Sequence, residues 1–411
     1  MRVLWVLPFY EQAIVYGGPA RSLPLLCRAL VGEGVEVSVL STNANGRGVV
    51  DAPLLRPFIS GGVEVTYYPR LTGARFALSP ELARACARRC AGFDLVHTAG
   101  LYTFPSLVAL KLAADRGVPA VLSPKGELMG WALAHKALKK RAFMRLVGAG
   151  LLRRAAALHC SDDLERQSVI ALGLPSPAYV VPNALDTGRL RSLPPRGALR
   201  HRLGIPGDDV VVLCLGRLHP VKRPDLALEA FSRVAGRFPA ARLLFAGPDE
   251  AGLEPSLRAA AAQAGCAGRV YFSGLLGDAG VLQALADADL LLMASESENF
   301  GMAAAEAMAA GLPLLISERV GLARYVARAG AGRVAPLDAE AMAGHLAGLL
   351  SDPDALPTMG RRGQATAVAL FGLEAVGRQL VEVYRQVLAA ANQDRHHRRN
   401  PSPTLGRAGG G

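Results

Sequence analysis

Ser295-Glu296-Ser297-Glu298-Asn299-Phe300-Gly301-Met302-Ala303-Ala304-Ala305-Glu306-Ala307-Met308-Ala309-Ala310-Gly311-Leu312-Pro313 is the stretch on which the reading of this chain turns. It follows Leu290-Leu291-Leu292-Met293, an apolar run of buried-strand length. A polar turn leads to Gly301 at the mouth of an Ala/Met-rich helix, which Gly311 and Pro313 stop. Glu298 therefore falls in a loop at the carboxyl end of a strand, and Glu306 about two turns along, inside the helix. Ligands of open α/β sheets bind at the carboxyl ends of strands. The free N–H groups from Asn299 to Met302 suit an anion. A carboxylate among alanines and methionines needs hydrogen-bond donors, and sugar hydroxyls are good ones. Taken singly, Glu298 reads better as a cap and Glu306 as a solvated side chain.

Taken together, Glu298 and Glu306 form E-x7-E, framed by Phe300-Gly301 and by Ala309-Ala310-Gly311-Leu312-Pro313. The framed string resembles the signature of the retaining glycosyltransferases of family 4. That resemblance implies an α/β fold of the GT-B type: two Rossmann-like domains facing across a cleft, with a C-terminal helix returning to the first domain.

The 411 residues suit two domains, and 51% hydrophobic against 19% charged residues suits folded cores. No apolar run reaches membrane-spanning length. Met1-Arg2-Val3-Leu4-Trp5-Val6-Leu7 reads as a first strand and lacks the pattern of a signal peptide, so a cytoplasmic location is expected. Six cysteines without a C-x-x-C pair read as buried thiols. The net charge of +12 favours anionic partners, but no nucleic-acid module or aromatic-interleaved basic run is present, so nucleic acid is not expected as a partner.

Short apolar runs alternate with amphipathic segments, as in parallel βαβ units. The reading divides the chain into an acceptor-side domain (1–186), a linker rich in Pro, Gly and Arg (187–207) and a second domain (208–372). A final helix (373–392) packs back on the first domain by resemblance, and a disordered tail (393–411) follows.

Gly17-Gly18-Pro19 precedes a helix, where glycines allow a phosphate close to the backbone. By resemblance this is the glycine loop that faces the donor. Leu215-Gly216-Arg217-Leu218-His219-Pro220-Val221-Lys222-Arg223 is similar to the family's G-R-x-x-x-x-K element, which assigns the donor diphosphate to Arg217 and Lys222, with Gly216 turning the chain. An Arg fork and a Lys point charge meet such an anion without a metal. Resemblance also places the nucleotide base against the backbone near Ser273, ribose hydroxyls on Glu306, and the sugar on Glu298 and the N–H groups near Asn299, Phe300 and Gly301. His97, in Asp94-Leu95-Val96-His97-Thr98-Ala99-Gly100, resembles the family's D-x-x-H-x-x-G histidine near the transferred sugar, and reads equally as a structural histidine.

Ser123-Pro124-Lys125-Gly126-Glu127-Leu128-Met129-Gly130-Trp131-Ala132-Leu133 resembles a run in bacterial members that build surface polysaccharides. Beyond it Lys136, Lys139, Lys140, Arg141, Arg145, Arg153 and Arg154 occur without an acidic residue. They read either as a solubilising surface or as a dock for anionic lipid on the inner face of the membrane. Asp287-Ala288-Asp289 reads as structural punctuation. No metal or other cofactor is expected. Pro182-Asn183-Ala184-Leu185-Asp186 departs from the family's P-N-G-V-D, which puts a left-handed backbone at Ala184 in doubt.

The resemblance implies a retaining glycosyltransferase moving a sugar from a nucleoside-diphosphate sugar to a glycan or lipid-linked acceptor, with no covalent protein nucleophile. The alternatives are an epimerase or phosphorylase of the same fold, and a non-catalytic nucleotide-sugar-binding or membrane-scaffold protein.

Overall fold

A computed structural model describes residues 1–13, 16–73, 76–134 and 137–399. Two parallel sheets form its two layers of helix-covered structure. In the first, seven strands run in parallel in the spatial order Ala178–Val180, Ala157–Cys160, Ala120–Ser123, Leu95–Ala99, Arg2–Leu7, Glu36–Thr42 and Val63–Tyr68, and Phe58–Ser60 adds an antiparallel edge. In the second, the order is Val270–Phe272, Ala241–Ala246, Val210–Leu215, Leu290–Met293, Leu314–Ser317 and Gly332–Ala335, all parallel. Strands buried on both faces need continuous apolar runs rather than alternation. Val3 to Leu7 and Leu290 to Met293 are such runs and are buried throughout.

In each sheet the strand order reverses beside its central strand. Arg2–Leu7 lies between Glu36–Thr42 and Leu95–Ala99, and Val210–Leu215 lies between Ala241–Ala246 and Leu290–Met293. Loops leaving such a reversal splay apart and leave a crevice. The loop after the first reversal carries Gly17 and Gly18, and the loop after the second carries Gly216 to Lys222. The two crevices face each other. A Cβ on Gly18 would lie 3.5 Å from the Met302 side chain, and one on Gly126 would lie 3.2 Å from that of Asn299.

The polypeptide crosses between the units twice, side by side: the Leu185 N–H donates to the Phe371 carbonyl at 2.7 Å. Helix Leu356–Phe371 ends in the second core, where the Phe371 ring meets Phe300 and Tyr325 edge-on at 5.2 and 5.1 Å. Helix Leu373–Arg399 then returns to the first unit. Val376, Leu380, Tyr384 and Val387 complete the core around Leu26, Leu30 and Trp5.

Three features differ from expectation. The segment 187–207 is not a free linker. It forms helices Thr187–Arg191 and Ala198–Leu203, and Leu190, Leu199 and Ile205 enter the second core. Its proline- and glycine-rich composition hid those three apolar anchors. The last helix does not stop at residue 392 but continues to Arg399, since no Gly or Pro interrupts the chain before Pro401; the remainder of the expected tail, 400–411, lies outside the described residues. Helix Leu356–Phe371 had no counterpart in the sequence reading, because Gly360 and Gly363 weaken its helical signal.

Gly360 explains its own presence. A Cβ there would lie 1.9 Å from the Gly311 carbonyl oxygen, which ends helix Met302–Ala309. Gly360→Ala should therefore destabilise the protein by about 1–3 kcal/mol through overpacking. A lower urea midpoint at unchanged slope is the expected result, and a wild-type midpoint would show that the Gly311 turn yields freely.

Candidate functional site

At the second crevice the backbone makes room before any side chain acts. Gly216 has φ +145° and Gly247 φ +154°, and a Cβ on Gly247 would lie 2.0 Å from the Gly216 carbonyl oxygen. Only glycines permit that approach. The result is an open hollow lined by Gly216, Arg217, Lys222, Met293, Ala294 and Ser295 among others. Gly301, left-handed at φ +87°, starts helix Met302–Ala309, and a Cβ on it would lie 2.7 Å from Val320. Helix-start N–H groups are thereby presented to the cleft.

The charged side chains meet in pairs. Lys222 forms an ion pair with Glu298, whose carboxylate also accepts the Ser295 hydroxyl at 3.4 Å. Arg217 pairs with Glu250 on the loop after Ala241–Ala246. Glu306 accepts from Arg21 of the first unit at 3.4 Å, and Arg21 also reaches Asp278 at 3.2 Å. Burial pushes the Glu306 carboxyl above its ordinary value, and Arg21 opposes the rise. Burial, then the Arg217 charge, pulls the Lys222 ammonium down to about 8; the Glu298 carboxylate beside it acts the other way. Asn299 presents a buried side-chain oxygen with no hydrogen-bond partner among the described residues. A buried acceptor of this kind calls for a donor.

The first unit supplies the opposite wall. Lys125, left-handed at φ +52°, donates to Asn183 at 2.9 Å. Glu165 accepts the Gly126 N–H at 2.6 Å and the Ser161 N–H at 2.8 Å, and Glu127 accepts the Leu101 N–H. Arg324 of the second unit pairs with Asp163 of the first.

The structure thus gathers Gly17, Gly18, Gly216, Arg217, Lys222, Glu298, Asn299, Phe300, Gly301 and Glu306 around one cleft. The Phe300 ring itself turns into the core, so only its backbone faces the site. Ser273 stands at the end of strand Val270–Phe272 on the same edge, its hydroxyl donating to the Gly274 carbonyl at 3.0 Å. Arg21 and Asp278 escaped the sequence reading. The available signal was Arg21's position three residues past Gly18, in the first helical turn.

His97 is a correction. It is wholly buried and stacks on Trp5 at 3.8 Å. Its Nδ1 meets the Tyr384 hydroxyl at 2.5 Å and its Nε2 the Ser123 hydroxyl at 2.8 Å. Burial drives its pKa well below the ordinary histidine value. Both ring nitrogens are engaged, so His97 is a core residue and not a group that reaches the sugar. The carboxylates of Asp287 and Asp289 are also occupied. Asp287 accepts the N–H groups of Gly197, Leu199 and Arg200, and Asp289 holds Arg196 and Arg200 at 2.7 and 2.8 Å. Ala184 is buried without a left-handed backbone. In the basic segment Lys140 turns inward to the Ala132 carbonyl and the Tyr102 ring, while Lys136 lies outside the described residues. No helix among the described residues is long and apolar enough to cross a membrane.

Both halves of the chain match known proteins. The sequence profile described as "Glycosyl transferases group 1" matches residues 195–366, and that described as "Glycosyl transferase 4-like domain" matches residues 17–184. The chain is 32% identical over 379 residues to D-inositol 3-phosphate glycosyltransferase 2 of Catenulispora acidiphila, covering 87% of each. It is 30% identical over 393 residues to D-inositol 3-phosphate glycosyltransferase of Streptomyces scabiei, covering 91% of this chain and 86% of the relative. Its fold resembles Anabaena HepE in complex with UDP and glucose, at TM-score 0.70 and 19% identity over 94% of this chain and 100% of that one. It also resembles sucrose-phosphate synthase from Thermosynechococcus elongatus, at TM-score 0.73 and 21% identity over 95% and 99%. Structural likeness at these identities establishes the two-domain GT-B fold.

Lys222 carries a pH signature. Its ammonium form binds anions, so affinity for inorganic pyrophosphate should be full below about pH 8 and fall up to about tenfold per pH unit above it. Lys222→Arg should hold the affinity flat through pH 9.5, because a guanidinium stays protonated. Calorimetric titration tests this; a wild-type affinity constant from pH 7 to 9.5 removes Lys222 from the anion site.

Proposed function

The chain belongs to the group 1 glycosyltransferases, enzymes that transfer glycosyl groups, and from that premise we propose that it moves a sugar, with retention of anomeric configuration, from a nucleoside-diphosphate sugar to a glycan or lipid-linked acceptor. The observation that carries the reading is the gathering of two cations and two carboxylates at one crevice. Cationic Arg217 and Lys222 leave the central strand, and anionic Glu298 and Glu306 come from the loop and helix after the neighbouring strand. A nucleoside-diphosphate sugar needs both kinds of group: cations for its diphosphate and acceptors for the hydroxyls of its two rings. In this reading Glu306 accepts from the ribose, and Glu298 and the orphan Asn299 oxygen accept from the sugar. The backbone near Ser273 meets the base. The first unit holds the acceptor.

In the transfer step the bond from the anomeric carbon to the diphosphate oxygen breaks. The acceptor oxygen bonds to that carbon on the same face, and its proton passes to the departing diphosphate. The protein's part is to meet the growing negative charge and to hold the two reactants in register. Arg217, Lys222 and the helix start at Gly301 meet that charge. The curated relatives named above are D-inositol 3-phosphate glycosyltransferases. D-inositol 3-phosphate therefore joins lipid-linked acceptors in the decisive assay: product formation from a panel of nucleotide sugars, UDP-glucose included, with and without each acceptor. Nucleotide-sugar binding without transfer or hydrolysis across the panel would favour a non-catalytic binding protein.

Turnover should survive EDTA, since fixed cations meet the leaving group. Arg217→Ala and Lys222→Ala should each lower kcat about a hundredfold or more, as loss of one preorganised donor does. Loss of activity in EDTA with recovery in Mg²⁺ or Mn²⁺ would overturn the metal-independent reading.

The basic segment supports peripheral membrane binding. Leu138 and Leu146 are each 81% exposed beside exposed Lys139, Arg141 and Arg145. Exposed basic residues near an anionic surface contribute about 1 kcal/mol each, screened by salt. Charge removal at Lys139, Arg141 and Arg145 should reduce co-sedimentation with phosphatidylglycerol vesicles at low salt. Unchanged co-sedimentation returns the segment to a solubilising role.

A further inference from the structure

Arg21 belongs to the first unit, yet its guanidinium ends on the second. It stands in the first turn of helix Gly18–Gly32, just past the glycine loop. From there one guanidinium nitrogen reaches Glu306 at 3.4 Å and another reaches Asp278 at 3.2 Å. Asp278 opens helix Asp278–Asp287 and is held from a second side by Arg189 at 3.3 Å. Arg21 is therefore aimed by an anchored carboxylate, and its other terminal nitrogen, Nη1, faces Glu306. The Glu306 side chain is 13% exposed and sits on a helix otherwise made of alanine and methionine. Arg189 and Arg21 are the cations acting on Glu306, and Asp278 is the opposing charge. Arg21 is the cation in hydrogen-bond contact with it.

We propose that Arg21 is a positioning residue for the donor: reaching across the cleft, it keeps the Glu306 carboxylate ionised and oriented to accept the ribose hydroxyls. The proposal rests on the assignment of Glu306 to ribose. A buried carboxylate without a counter-charge takes up a proton and becomes a donor itself, which spoils two acceptor positions at once. Arg21 prevents this while leaving the lone pairs on the cleft side open, because a 3.4 Å contact uses one oxygen from one direction. The same contact makes donor recognition depend on the first unit. Ribose affinity is then highest only when the glycine loop lies against helix Met302–Ala309. The neighbouring carboxylate Asp278 keeps the guanidinium in place when ribose arrives.

The test separates ribose recognition from diphosphate recognition. The full chain is titrated with UDP, ADP and GDP and with their 2′,3′-dideoxy counterparts, in the wild type, Arg21→Ala and Arg21→Lys. The wild type should prefer the ribose form of its best ligand by about tenfold or more, the size of hydrogen bonds to a charged acceptor. Arg21→Ala should shrink that preference at least about fivefold while leaving the dideoxy ligand's affinity within twofold, and Arg21→Lys should restore most of it. An unchanged preference in Arg21→Ala, or equal weakening of both ligands, overturns the role given to Arg21. A wild type that ignores the ribose hydroxyls overturns the Glu306 assignment instead.

Discussion

A carboxylate or ammonium taken out of water must meet an opposite charge, and the cleft of this protein is arranged by that constraint. Lys222 lies against Glu298, Arg217 against Glu250, and Arg21 against Glu306. Each pair joins segments far apart in the chain, and two of the pairs fix the relative place of loops that would otherwise splay. Such pairs contribute little net stability: solvent screens the exposed Arg217–Glu250 pair, and desolvation offsets the attraction in the more buried Lys222–Glu298 pair. Their effect here is on order and readiness. Lys222 and Arg217 each hold a carboxylate where an anionic ligand would bind, so a diphosphate exchanges for an existing interaction and need not create one.

Backbone geometry sets the stage for those charges. The contact of Gly247 with the Gly216 carbonyl, and of Gly301 with Val320, draws neighbouring strand ends closer than side chains allow. The hollow between them is made by missing Cβ atoms as much as by the fold. Leu215, Phe245, Leu292 and Met293 make its floor largely apolar, and Arg217, Lys222 and Ser295 bring the polar groups to it.

Much of this was legible in the sequence, for physical reasons. Leu290–Met293 is apolar on both faces, so it had to be a central strand, and Gly301, Gly311 and Pro313 bound the next helix by rules of local backbone geometry. Those constraints alone place Glu298 in the loop at the carboxyl end of the strand and Glu306 two turns into the helix that follows. What failed was long-range. His97 looked like a strand-end ligand because nothing nearby in sequence shows that Tyr384, from the last helix, takes its Nδ1. The helix Leu356–Phe371 was hidden by glycines whose reason is the Gly311 carbonyl. The segment 187–207 reads as linker by composition, and only Asp287, from a distant helix end, reveals its cap. Arg21 was invisible because its partners belong to the other unit.

The paired crossing at Leu185 and Phe371 has a consequence for biosynthesis. The first unit is built from both ends of the polypeptide, whereas the second is one continuous segment between the crossings. On the ribosome, translation at about 5–20 residues per second leaves a gap of about 10–40 s between completion of the early strands and emergence of the final helix. During that interval the surface of Leu26 and Leu30, later sealed by Val376, Leu380 and Tyr384, is bare. The second unit can close its own core in the meantime. The part of the enzyme made first is thus the part finished last, and its seam with the final helix is the last core surface to leave water.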